Sequence, residues 1–208
     1  MTSQMGASFE LDPDPLVTGR LLLGSVLHGR GVSVEITEVE AYLGETDPAS
    51  HAYKGPTARN AVMFGPPGHL YTYTMHGHTC ANVVCSPAGE ARAVLVRAGR
   101  VIDGESLAEG RRTRHGRFLA RGPGNLTRAL GITMADGGMA LFEPHSPVRL
   151  ELRSDDVAEP PISAGPRVGV PRAVDAPYRF WITGDPSVSA YRRAASAPAR
   201  KRGGSHPL

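Results

Sequence analysis

Two glutamates, Glu38 and Glu40, stand near the end of a run, VSVEITEVEAY at 32–42, that otherwise reads as a strand. Val32, Val34 and Ile36 share one face by the two-residue period of a strand, opposite Ser33, Glu35 and Thr37. Continuing that alternation puts Glu38, Glu40 and Tyr42 on the apolar face. A carboxylate there costs free energy unless it is paired or serves chemistry. In a half-apolar setting a glutamate can deprotonate a water or protonate a leaving group, the two roles that glycosidic hydrolysis requires. A bulge near Val39 would reverse the pattern and turn one glutamate outward.

Aromatic side chains gather in the turn-rich sequence that follows: Tyr42, Tyr53, Tyr71 and Tyr73. Aromatic faces stack on extruded bases, at roughly 1–3 kcal/mol per base. Tyr42 and Tyr73 are the stronger pocket candidates, whereas Tyr71 reads as ordinary strand packing. His76, His78 and Cys80 would share a face on an unbroken strand, but Gly77 marks a turn there. The H-x-E and P-C-x-x-C pattern of zinc deaminases is absent. No metal site is expected. A Walker A loop, a G-x-G-x-x-G after a strand and a G-x-S-x-G elbow are also missing.

The elements that must position these residues can be sketched. Apolar residues from Pro15 to Leu27 suit a short helix, followed by the 32–42 strand. The stretch 44–68 is long and irregular, punctuated by Gly and Pro, yet it carries His51, Arg59 and Asn60; connections of this length are usually functional or disordered. A hairpin follows, with strands near 69–76 and 79–85 and a turn at Gly77-His78. Further strands are expected at 91–98, 148–152, 167–170 and 178–184, with helices near 103–115 and at NLTRALGI.

The 208 residues, with 25 Gly and 18 Pro, suit one loop-rich domain rather than a helical bundle. Net charge is +3, and Lys54 and Lys201 are the only lysines among 23 basic residues. Arginine offers a planar fork to phosphate, although a G+C-rich genome would give the same bias. The run RRTRHGRFLAR at 111–121 contains no acid. Two cysteines are too few for a disulfide scaffold, and no signal peptide or membrane span is visible. A cytoplasmic protein is expected.

At TEVEAYLGETDPASHAY (37–53) and TARNAVMFGPPGHLYTY (57–73) the chain resembles the methylpurine DNA glycosylases, also called alkyladenine or 3-methyladenine DNA glycosylases. ANVV (81–84), AVLVRA (93–98), RGPGNLTRALGI (121–132), RVGV (167–170) and YRFWITGDPSVS (178–189) continue the likeness in order. The resemblance implies a single α+β domain around a curved, mainly antiparallel β-sheet, with short peripheral helices and a protruding β-hairpin that enters DNA. That domain would span 11–192, between a mobile tail at 1–10 and a basic, disordered tail at 193–208.

It also implies roles. Glu40 would activate water, with Glu38 in support, and Arg97 would bind that water and a nearby phosphate. Tyr42, His51 and Tyr73 would line the flipped base, and Asn82 would disfavour the amino group of normal guanine. His76 stands where the family carries a wedge tyrosine. Arg59, Arg111, Arg112 and Arg114 are candidates for the DNA backbone. The implied partner is double-stranded DNA containing a damaged purine, bound by a monomer without cofactor. Neither lysine matches a catalytic amine, so no lyase step is expected. Two other readings stay open: a shape-reading binder without activity, and a metal-dependent hydrolase using His51, His76 and His78.

Overall fold

The computed structural model describes residues 11–112, 118–154 and 156–194. Helix α1 (Pro15–Leu22) starts where the Asp14 carboxylate accepts the Leu16 N–H at 2.8 Å, with proline in the first turn. It ends sooner than the apolar pattern suggested. Val26–Gly29 forms strand β1 instead, because Leu27 pairs with Val34 on one side and Leu150 on the other. Strand β2 (Val32–Tyr42) follows, then an irregular stretch holding two short 3-10 turns, Gly44–Thr46 and Ala61–Phe64.

Strands β3 (Leu70–Met75) and β4 (His78–Val84) make the expected hairpin, but its turn is His76-Gly77 rather than Gly77-His78. Both turn residues have positive φ, 49° and 77°, as two-residue hairpins require of the primed turns. Strand β5 (Ala93–Asp103) is longer than expected. Helices α2 (Glu105–Arg112) and α3 (Pro123–Leu130) come next, then β6 (Val148–Glu151), β7 (Ile162–Gly165) and β8 (Arg179–Ile182). The RVGV segment expected as a strand at 167–170 is irregular and follows β7.

These eight strands form one sheet whose main path runs β3-β4-β5-β2-β1-β6; β8 pairs with both β2 and β7, and every pairing is antiparallel. The domain is thus α+β, a curled antiparallel sheet with three short helices among the described residues. No described helix is long and apolar enough to cross a membrane.

The β2–β5 ladder carries the feature that builds the site. Its register slips between Ile36 and Glu38 and again between Glu38 and Val39, passing over Thr37. A bulge of this kind reverses the inside-outside alternation. Val32, Val34 and Ile36 lie in the main aliphatic cluster, and beyond the bulge so do Val39 and Ala41. Glu38, Glu40 and Tyr42 are therefore on the opposite face, which corrects the simple extrapolation. Both glutamates nevertheless stay at 0% exposure, because Arg97, Arg179, Val168 and Ser189 close around them on that face. Gly99 faces Ile36 at the bulge, where any Cβ would stand 2.5 Å from the Glu35 carbonyl oxygen, so only glycine fits.

Candidate active site

The second face of the sheet opens into a pocket of about 520 Å³. Strand β2 supplies Glu40 and Tyr42, β3 supplies Tyr71 and Tyr73, β4 Asn82 and β5 Arg97; His51 and residues 168–171 close the sides. Glu40, Tyr42, His51, Tyr73, His76, Asn82 and Arg97, drawn from distant parts of the sequence, all line this one cavity.

Glu40 is held from three directions. Its Oε1 accepts the Val168 backbone N–H at 2.7 Å and lies 3.3 Å from Arg97 Nη1, and its Oε2 accepts the Tyr42 hydroxyl at 2.9 Å. Burial, reinforced by the Glu40 carboxylate, pushes the Tyr42 hydroxyl well above its ordinary pKa, so it stays a donor. Glu38 is more fully engaged. Its Oε1 accepts from Arg97 Nε at 3.1 Å, Arg179 Nη1 at 3.0 Å and Ser189 Oγ at 2.9 Å, while Oε2 accepts the Ser189 N–H at 2.7 Å. Burial works against the Arg97 cation, but Glu40 and Glu38 outweigh it and hold its pKa above the ordinary value. The two carboxylates and Arg97 thus form one charged group, with Glu38 anchored and Glu40 at the pocket.

The aromatic wall is packed edge to face. The His51 ring meets Tyr73 at 4.5 Å and 81°, and His51 Nδ1 lies 3.0 Å from the Tyr71 hydroxyl. Burial, then the nearby Arg59 charge, lowers the His51 pKa, which favours the neutral ring at pH 7. Asn82 Nδ2 donates to the Tyr71 carbonyl at 3.0 Å, which fixes the amide.

Not every expected residue joins. Tyr53 is exposed at 43% and does not line the cavity. Arg59 is exposed close enough to act on His51. Arg111 donates to the carbonyls of Ala129 and Arg30. Arg112 is turned inward at 9% exposure, donating to the Leu119 carbonyl, which corrects its candidacy for the DNA backbone. Arg114 lies outside the described residues. The turn at His76-Gly77 separates His76 from His78, and no described cluster of three or more His, Cys, Asp or Glu could hold a metal ion.

Sequence reasoning missed several contributors. Tyr71, which reads as strand packing in the sequence, lines the pocket. Val168, Arg179 and Ser189 hold the two glutamates, and Arg167 lies buried behind Tyr42. Their only sequence signal was that they fall within the RVGV and YRFWITGDPSVS segments.

The family model described as Methylpurine-DNA glycosylase (MPG) matches residues 9–186, and the chain belongs to that family. A protein of Mycobacterium tuberculosis (strain ATCC 25618 / H37Rv), named "Putative 3-methyladenine DNA glycosylase", is 55% identical over 199 residues, covering 92% of this chain and 96% of its own. A protein of Mycolicibacterium paratuberculosis with the same name is 55% identical over 203 residues, covering 93% and 96%.

Proposed function

We propose that this protein is a monofunctional DNA glycosylase that removes alkylated or deaminated purines from duplex DNA and so starts base excision repair. The observation that carries this reading is a carboxylate, Glu40, fixed at 0% exposure by Tyr42, Val168 and Arg97 beside an aromatic pocket. Family membership and the relatives' names support it.

The extruded nucleotide would insert its base between Tyr42 and the His51/Tyr73 wall. Glu40 accepts a proton from a water as the water oxygen bonds to the anomeric carbon. The N-glycosidic bond breaks, its electron pair leaves with the purine, and a hydroxyl remains on the sugar. The proton on Glu40 passes to solvent when a cationic alkylpurine leaves neutral, and to the departing base when an uncharged purine would leave as an anion. Alkylation already weakens that bond, so the protein mainly positions the water and stabilises oxocarbenium-like charge. Arg97 orients the carboxylate, and Asn82 crowds the amino group that distinguishes guanine. His76, exposed at the hairpin tip, would fill the vacated stack as a small wedge. Flipping costs a few kcal/mol, least for damaged or mispaired bases, which adds selectivity. The only described lysine, Lys54, is exposed and does not line the pocket. Among the described residues no lysine therefore stands ready for a Schiff base, which supports an enzyme that leaves the strand intact. The enzyme acts as a monomer without a cofactor.

The test is base release from duplexes bearing a single hypoxanthine, ethenoadenine or 3-methyladenine, read as alkali-labile breaks. Wild type should release at least one of these bases. Glu40→Gln should slow release by about 10²–10⁴, the usual contribution of a general base, while keeping its binding. Tight binding by the wild type with no release from any duplex would instead identify a shape-reading binder.

A further inference from the structure

Arg167 is the bulkiest of the fully buried side chains among the described residues, at 1% exposure, and it lies behind Tyr42 rather than in the pocket lining. Its fork grips the Asp47 carboxylate, with Nη2 to Oδ1 at 2.9 Å, and Nη1 also donates to the Ala41 carbonyl at 3.0 Å. The guanidinium carbon lies 4.6 Å from the centre of the Tyr42 ring and 5.2 Å from that of Tyr178. Asp47 in turn accepts the backbone N–H groups of Leu43 and Ala49, so the turn leading to His51 is fastened to the same cation. The next residue along the chain, Val168, donates to Glu40.

A buried ion pair of this kind is a poor source of stability. Well-packed apolar groups of similar volume often hold a fold as well or better. What such groups cannot supply is direction. A planar fork stacked on a ring fixes a carboxylate, a carbonyl and an aromatic plane together.

We propose that Arg167 is a positioning residue for Glu40, which rests on the glycosylase reading of that glutamate. By holding the Tyr42 ring and the Val168 amide, it sets the hydrogen-bond donors on both Glu40 oxygens. Through Asp47 it keeps the His51 wall in register with them. The rate then depends on the geometry of the fork rather than on its charge alone.

The test is single-turnover base release per active site, with sites titrated by a duplex carrying an abasic-site analogue. Arg167→Lys keeps the cation and loses the fork. Arg167→Met combined with Asp47→Leu replaces the pair with apolar groups and guards against misfolding of the first variant. Each should release base about a hundredfold more slowly per active site, the loss expected of an ångström-scale misplacement, with analogue affinity within about threefold of wild type. In a Glu40→Gln background, Arg167→Lys should add almost nothing, because residues acting through one another do not add. A wild-type rate in either folded variant would overturn the proposal. So would an undiminished loss in the Glu40→Gln background, or failure of both variants to fold. A wild type that releases no base from any duplex would overturn the glycosylase reading itself.

Discussion

On one side of β2, Val32, Val34, Ile36, Val39 and Ala41 pack into an aliphatic cluster with residues of α1 and α3. On the other, Glu38, Glu40 and Tyr42 meet arginines, a histidine and two tyrosines, and nearly every polar atom has a named partner. Both sides are buried, yet different quantities hold them in place. The first is secured by volume, so it tolerates polar rearrangement poorly and loses stability when methyl groups are deleted. The second is secured by direction, so a partner's loss is felt through the charge left behind. One strand serves both because the bulge at Thr37 switches its alternation between them.

The contrast is broken most severely at Asp47, the acid partner of Arg167. Burial pushes its carboxyl up, but Arg167 and the amides of Ala49 and Leu43 more than offset this and hold its pKa below the ordinary aspartate value. A depressed acid pKa contributes stability that is present above the unfolded value, near pH 4, and lost as pH falls through the folded value. Asp47→Asn should therefore cost about 3–5 kcal/mol near neutral pH, with the gap to wild type shrinking below about pH 4. Urea unfolding across pH 3–8 reads both; a gap that stays constant to pH 3 would contradict the linkage.

On the aliphatic side, Ile36→Ala should cost about 2–4 kcal/mol in the same urea measurement. Base release per active site should stay near wild type, whereas Glu40→Gln should show the reverse pattern. A catalytic loss in Ile36→Ala equal to its stability loss would mean the two faces are coupled through the bulge. The smallest effect is expected at the hairpin tip, which neither cluster supports. His76→Tyr should leave stability within about 0.5 kcal/mol, as for other surface changes, and slow the return of a flipped fluorescent lesion severalfold. An unchanged flipping equilibrium would remove His76 from the wedge role.

The strand bearing Glu40 and Tyr42 was legible because carboxylates amid an alternating apolar run stand out. The face they occupy was not, because alternation alone does not locate a bulge. The hairpin is legible in the sequence, but its turn sits one residue earlier than the Gly77-His78 expected, because His76 itself adopts positive φ, which is uncommon outside glycine. Tyr71 read as packing because a pocket tyrosine and a core tyrosine look alike in a strand. Arg167 was invisible as a support for the site: its partner Asp47 lies 120 residues away, and no local pattern announces such a pair. The 167–170 segment looked like a strand because short apolar runs do not separate strands from irregular chain.

The sequence distances within the charged group also bear on how the molecule is made. Glu40 meets Val168 across 128 residues, and Glu38 meets Arg179 across 141 and Ser189 across 151. A ribosome extending this chain releases the glutamates well before these partners. Strands β1 to β5 can pair well before then, with two carboxylates short of most of their donors. Chemical competence therefore waits for the last of these partners, and a nascent chain stalled before Ser189 would carry most of the sheet without a finished site.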